Sequence, residues 1–155
     1  AGELMTSLPP DRAARDMSAA IDFLLAHEAT TGDAVGVTGF CMGGMLALLI
    51  AAAEGDRVAA VAPFYGAPLG EGAPDWSGLT AAVEGHLAAN DDFFPPEAIT
   101  ALGDDLREAG RDVVFHVYEG TGHGFANEEN PLGTWDEAAA ATAWGRTVEF
   151  LRSHL

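Results

Sequence analysis

The chain has 155 residues, of which 24 are acidic, seven are arginines and none is lysine, so its formal net charge is −17. This length suits one domain with a sizeable core, and the charge disfavours nucleic acid or an anionic membrane surface as a partner. The single cysteine excludes an internal disulfide and argues against a thiolate metal site.

The ends of the chain and its apolar runs bear on location and completeness. No apolar run is long enough to span a membrane and no signal peptide is visible, so we expect a cytoplasmic protein. The chain opens on Ala1 without an initiator methionine, and helical sequence follows almost at once. We therefore expect one domain over residues 1–155 that is incomplete at its amino end, present as a monomer or weak oligomer.

The first half of the chain alternates between helix and strand patterns. Residues 11–27 carry apolar side chains at spacings of three and four after two prolines, which predicts a helix. Residues 34–38 predict a short buried strand, residues 45–53 an apolar helix, and residues 58–64 a second strand. A loop rich in glycine and proline covers residues 66–76.

The second half continues this alternation. We predict a strand over 80–89, a helix from Pro95 to about Ala109 that stops at Gly110, a strand over 113–118 and a helix over 136–154. The apolar residues expected on one side of the last helix are Ala139, Ala143, Val148 and Leu151. This order favours an α/β fold with a mainly parallel sheet covered by helices, in which ligands bind beyond the carboxyl ends of the strands.

The most informative motif is Gly39-Phe40-Cys41-Met42-Gly43, between the first strand and the second helix. A Gly-x-Ser-x-Gly motif turns a strand sharply into a helix and exposes the central nucleophile, and here Cys41 replaces the serine. We expect glycine at 39 and 43 because a Cβ at either position would crowd the strained turn. Taken alone, a lone cysteine is more often a buried core residue, and an activated thiol can also be a redox sensor.

Two further loops that follow strands supply partners for the thiol. Asp91 and Asp92 follow the third strand and His123 follows the fourth, and this order of nucleophile, acid and histidine is that of α/β-hydrolases. A thiol with a pKa of about 8.5 needs a base, which His123 supplies, while a carboxylate orients the imidazole. The amide N–H of Met42 suits an oxyanion. Together these residues predict acyl transfer through a thioester, with no cofactor and no metal, although Asp92 is also suited to cap the next helix.

Three segments, 39–44, 90–95 and 122–126, resemble the catalytic motifs of the dienelactone hydrolase family. The resemblance runs across nearly the whole chain and implies the α/β-hydrolase fold, of which the chain would form the carboxyl two-thirds. It implies Cys41 as nucleophile, His123 as base and Asp91 as triad acid, because the aspartate of the family lies four residues before the proline, here Pro95.

The resemblance also implies which residues bind the substrate, a small-molecule ester or lactone. Tyr65 stands in the segment that resembles the tyrosine-bearing loop of the family, and Phe125 and Asn127 belong to the histidine segment. Members that act on dienelactone carry an arginine four residues after the histidine to bind the substrate carboxylate, where this chain has Asn127. The early strands of the family carry a second oxyanion donor and a glutamate that engages the cysteine.

Other features favour structural roles. The sequence favours packing for His86 and His116 on strands and for Trp135 and Trp144 near the last helix, and a solvated loop for the acidic pair 128–129. A competing hypothesis for the whole chain is a hydrolase fold that performs no chemistry and serves as a binding module. Its motivation is the expected lack of an amino-terminal part, which would leave a sheet edge without a partner.

Overall fold

The computed structural model describes residues 9–70 and 73–155. Its helices and strands are α1 (Pro10–Ala26), β1 (Val35–Phe40), α2 (Met42–Glu54), β2 (Val58–Phe64), β3 (Ala82–Asn90), α3 (Pro96–Glu108), β4 (Val113–Gly122) and α4 (Glu137–His154). Every predicted helix and strand is present in the predicted order. The first residues of the chain, and positions 71 and 72 of the predicted loop, lie outside the described residues.

The four strands form one parallel sheet in the order β1-β2-β3-β4. The register aligns Phe40 of β1 with Phe64 of β2, and Phe64 with His86 of β3. Farther along, Asn90 of β3 is aligned with Gly122 of β4. The predicted parallel sheet is therefore confirmed, and its register brings the residues that follow the strands to one edge.

The sheet has a different core on each face, because successive side chains of a strand point to opposite sides. Val61, Val83 and Leu87 pack in the larger core with side chains from α1, α2 and α3. On the other face, Ala60, Ala62 and Ala82 pack against Phe150 of α4. This lets α4 approach the sheet closely.

The buried side of α4 includes the predicted Ala143, with Ala139 and Leu151 partly buried beside it, but not the predicted Val148. Its buried residues are Ala140, Ala143, Thr147 and Phe150, whereas Val148 is 41% exposed. The helix packs on an alanine-rich surface that one phenylalanine fills, so an apolar valine on the neighbouring side is left in solvent.

Two element bounds matter for the site. Helix α2 begins at Met42, directly after Cys41, and not at residue 45, while β4 runs to Gly122, directly before His123. Both changes shorten the link between a regular element and a candidate catalytic residue. Within the two described ranges, no helix is long and apolar enough to cross a bilayer.

Candidate active site

Cys41 occupies the sharp turn between β1 and α2. Its backbone has φ 57° and ψ −124°, a conformation that residues with a side chain rarely adopt. Its N–H donates to the carbonyl oxygen of Phe64 on β2 (3.0 Å), and its own carbonyl accepts from Gly44 (2.9 Å) and Met45 (3.2 Å). Hydrogen bonds from two elements therefore hold the thiol-bearing residue in a strained turn.

Glycines close this turn tightly, but not all at the expected positions. A Cβ on Gly39 would lie 2.1 Å from the carbonyl oxygen of Gly43, as expected for a crowded turn. The expectation is wrong at Gly43 itself, where a Cβ would meet nothing within 4 Å. Close approach is instead required at Gly44, 2.9 Å from the Phe64 carbonyl, and at Gly66, 2.0 Å from the carbonyl oxygen of Cys41. The reason is that residue 43 faces open space whereas residues 44 and 66 lie where β1, β2 and α2 meet.

Met42 is the first residue of α2. The first N–H groups of a helix have no acceptor within the helix and lie at the positive end of its dipole. The Met42 N–H, in the residue directly after Cys41, is therefore suited to an anionic oxygen.

Asp91 and His123 form a buried hydrogen-bonded pair at the ends of β3 and β4. Nδ1 of His123 donates to Oδ2 of Asp91 at 2.8 Å, and the two side chains are 9% and 1% exposed. The other carboxylate oxygen accepts the N–H groups of Phe93 and Phe94, both at 2.9 Å. With Asp91 fixed on both oxygens, the imidazole is held with Nδ1 protonated and Nε2 free to act as a base.

Asp92 does not have the helix-capping role considered for it. Its side chain is exposed, whereas Asp91 accepts from the two amides of the turn. Helix α3 starts after Pro95, and no side chain caps it. The two prolines fix the start of the helix through their restricted φ, and a cap is not needed where proline has no N–H.

Aromatic rings enclose the imidazole. The Tyr65 ring meets His123 edge-on at 5.0 Å, and Phe93 and Phe94 lie 4.9 and 5.9 Å away. The backbone of His123 is also fixed, since its carbonyl accepts from the Thr134 hydroxyl at 2.6 Å. These contacts restrict the ring to one orientation.

Cys41 and His123 line the same cavity, of about 160 Å³. Phe40 and Tyr65 complete the side formed by the strand ends. The loop after β4 contributes Gly124, Asn127, Pro131, Leu132 and Thr134. The structure thus brings together the three residues expected to be catalytic and two of the three expected to bind substrate.

Tyr65 is a buried residue with an unusual backbone, φ 37°. Burial, and then the negative charge that Cys41 can carry, raise the pKa of Tyr65 to about 12. Its hydroxyl therefore stays protonated at ordinary pH, and Tyr65 lines the same cavity as Cys41.

Phe125 does not line the cavity as expected. Its side chain is fully buried, 5.6 Å from the ring of Tyr65 and 5.0 Å from that of Tyr118. It packs behind Tyr65 and fixes that ring, because the chain after His123 turns back into the small core between the sheet and α4.

The buried residue His86 is hydrogen-bonded to the backbone of Tyr65 and to two side chains. His86 is hydrogen-bonded through Nδ1 to the Tyr118 hydroxyl (2.9 Å) and through Nε2 to the Thr147 hydroxyl (2.8 Å). Its carbonyl accepts the N–H of Tyr65 at 2.7 Å. Burial, followed by the positive charges of His116 and Arg146, lowers the pKa of His86 to about 3, so the ring is neutral.

Several lining residues were not found by reading the sequence. Trp144 of α4 is 41% exposed and lines a second cavity beside the first, so it does more than pack its helix. Thr134 and Leu132 enter through a loop with no motif. No group of three or more residues suited to hold a metal ion occurs in the described part of the chain.

Comparisons with known proteins agree with this architecture. A sequence model of the dienelactone hydrolase family matches residues 1–155. The protein usf of Aquifex pyrophilus is 33% identical over 158 residues, covering 100% of this chain and 68% of that protein. The carboxymethylenebutenolidase of Rhodococcus opacus is 36% identical over 146 residues, covering 87% and 56%.

A solved structure shares the fold. The dienelactone hydrolase-like promiscuous phosphotriesterase from metagenomic libraries superposes with a TM-score of 0.80 at 25% identity, covering 93% of this chain and 62% of that one. This chain thus spans less than two thirds of that structure. The family model, by contrast, matches all 155 residues of this chain. This chain belongs to the dienelactone hydrolase family.

Proposed function

We propose that the protein hydrolyses carboxylic esters or lactones with Cys41 as nucleophile, His123 as base and Asp91 as the residue that orients the base. The observation that carries this proposal is the buried 2.8 Å bond between His123 and Asp91, with His123 and the strained Cys41 lining one cavity. A cysteine with only a packing role would need neither a strained backbone nor a buried carboxylate and imidazole at the same cavity.

The reaction proceeds in two halves. Nε2 of His123 takes the proton of the Cys41 thiol, and the thiolate attacks the carbonyl carbon of the ester. The tetrahedral intermediate collapses, the bond to the alcohol oxygen breaks, and His123 returns the proton to that oxygen. A water molecule, deprotonated by His123, then attacks the thioester, and the acid leaves as the thiol is restored.

Other residues support the intermediate. The N–H of Met42 donates to the oxyanion, aided by the dipole of α2. The protonated hydroxyl of Tyr65 is a second donor near the sulfur, and it stabilises the thiolate before attack. Asp91 keeps its charge opposite the imidazolium that forms in each half-reaction.

The two neighbouring aspartates provide a matched test. Asp91→Asn leaves the shape of the site but removes the charge that holds the imidazole, so kcat should fall by about 10³-fold or more. Asp92→Asn removes an exposed charge next to it and should leave kcat within about twofold. Equal losses in both variants would contradict the proposed roles.

The nucleophile is tested with Cys41→Ala and Cys41→Ser on a small activated ester. Cys41→Ala should abolish turnover, and Cys41→Ser should retain little of it because the base is tuned for a thiol. Mass spectrometry of the protein quenched during turnover should find the acyl group on Cys41. Unchanged turnover in Cys41→Ala would refute the proposal.

The alternative of a binding module predicts different results. It requires that the purified protein turn over no activated ester and form no acyl adduct, while its thiol is alkylated no faster than a free cysteine. Rapid alkylation of Cys41 that is lost on Asp91→Asn would contradict it, because a module without chemistry has no use for a coupled thiol and histidine.

A further inference from the structure

An apolar groove continues from the catalytic cavity. It has a volume of about 290 Å³ and shares Phe40, Tyr65 and Asn127 with the cavity of Cys41. Ala126 and Trp144 complete it. For comparison, an apolar cavity of about 150 Å³ in another protein holds a benzene molecule, so the groove has room for an aromatic ring.

The groove is built mainly from aromatic faces. The Trp144 ring lies 5.7 Å from that of Phe40 and 5.3 Å from that of Phe64, in tilted arrangements. Phe40 and Trp144 remain 39% and 41% exposed although they pack against each other. Exposed aromatic surface that opens directly into a catalytic cavity is the usual lining of a small-molecule site.

The described lining of the two cavities carries no cationic side chain that could pair with an anionic substrate. Among the described residues that line the two cavities, none is an arginine, and the whole chain has no lysine. Asn127, at the junction of the two cavities, is followed by the exposed residues Glu128 and Glu129. With a net charge of −17, the field at the mouth repels a carboxylate and favours an uncharged ligand.

We propose that this groove binds a planar, apolar group of an uncharged ester or lactone, and that Trp144 determines this specificity. The inference rests on the proposed hydrolase function and adds the class of substrate to it. A ring stacked on Trp144 extends past Phe40 and Tyr65, and the ester carbonyl then lies at Cys41. Asn127, whose Oδ1 accepts from the Glu129 amide at 3.1 Å, offers a neutral polar contact at the junction.

The charge preference is tested with two substrates of the same shape, methyl 4-acetoxybenzoate and 4-acetoxybenzoate. The kcat/KM of each substrate is divided by its second-order rate constant for hydrolysis by hydroxide, which corrects for the different reactivity of the two leaving groups. We expect the uncharged ester to be preferred by about tenfold or more, increasingly so at low ionic strength. A preference for the carboxylate would overturn the proposal.

The role of Trp144 is tested with Trp144→Ala and with Val148→Ala, a control on the same helix with the same exposed fraction. Trp144→Ala should lower kcat/KM for methyl 4-acetoxybenzoate about tenfold, mainly through KM, because a ring loses its apolar contact. Turnover of 2,2,2-trifluoroethyl acetate, which has no ring, should change less than about twofold. Val148→Ala should affect neither substrate. Equal losses on both substrates would refute a specificity role.

Binding without turnover separates the two proposals. In the Cys41→Ala background, methyl 4-acetoxybenzoate is titrated calorimetrically, and adding Trp144→Ala should weaken its binding about tenfold. Unchanged binding there would refute the groove while leaving the hydrolase proposal intact, whereas turnover that survives Cys41→Ala would refute Cys41 as the nucleophile and leave the groove to be decided by the binding measurement. If Trp144→Ala does not fold, Trp144→Leu provides the same comparison, since it keeps apolar volume but removes the aromatic face.

Discussion

His86 makes the stability of the protein depend on pH in a way that can be calculated. The side chain is fully buried, is hydrogen-bonded to Tyr118 and Thr147, and has a pKa lowered from 6.5 to about 3. The folded state therefore keeps it neutral, while the unfolded chain binds a proton below pH 6.5. Its contribution is complete above pH 6.5 and is lost as the pH falls from there towards 3.

The size of the effect follows from the two pKa values. At pH 5 the unfolded state has gained a proton that the folded state has not, and the free energy of unfolding is lower by about 2 kcal/mol than at pH 7.5. The loss grows by about 1.4 kcal/mol for each further unit of pH and ends near pH 3. Protonation of the many carboxylates also changes stability, so a variant without this histidine is needed.

The assay is urea unfolding at pH 7.5, 6 and 5 in the wild type, His86→Gln and His27→Gln. Glutamine keeps a donor and an acceptor but does not titrate, so His86→Gln should be less stable at pH 7.5 yet lose about 2 kcal/mol less than the wild type between pH 7.5 and 5. His27 is exposed at the end of α1, so His27→Gln is the control for replacing a histidine that is not buried. Parallel stability curves for the wild type and His86→Gln would refute the reasoning.

Three further changes test the site. Gly66→Ala should abolish activity and lower the free energy of unfolding by about 2 kcal/mol or more in urea titrations, since its Cβ would lie 2.0 Å from the carbonyl oxygen of Cys41. Gly43→Ala, where a Cβ meets nothing within 4 Å, should change the free energy of unfolding by less than about 0.5 kcal/mol. Asn127→Arg should shift the kcat/KM ratio of 4-acetoxybenzoate to its methyl ester towards the anion, and an unchanged ratio would mean that residue 127 does not meet the substrate. Tyr65→Phe should lower kcat, because it removes a donor to the thiolate, but it should remove no alkaline step between pH 7 and 10, because the pKa of Tyr65 is about 12; a lost alkaline step would contradict this.

The candidate catalytic residues could be predicted from the sequence because each directly follows a strand. Cys41 follows β1, Asp91 follows β3 and His123 follows β4 without an intervening residue. In a parallel sheet these positions meet at one edge, so recognising the strands was enough to bring the three residues together. Only the pairing of Asp91, as opposed to Asp92, needed the family motif.

The groove could not be predicted, because it depends on how a helix packs. Trp144 is separated by many residues from every motif, and its exposed position results from the burial of Ala143 and Thr147 beside it. The spacing of apolar residues in α4 identified Ala143 correctly but also placed Val148 on the buried side, where the structure has Thr147 instead. In the same way Phe125 was placed with the substrate, although the return of the chain into the small core buries it completely.

The bond between Asp91 and His123 joins the ends of two neighbouring strands, and this makes it sensitive to strand register. A slip of β4 by one residue would displace His123 by about 3.3 Å and turn its side chain to the opposite face of the sheet. Since Cys41 follows β1, two strands from β3 and three from β4, no hairpin or single βα unit of this chain can assemble the site. Reactivity of Cys41 towards an alkylating reagent is thus an internal reporter of correct sheet assembly, and during refolding it should emerge only when β4 has docked in register.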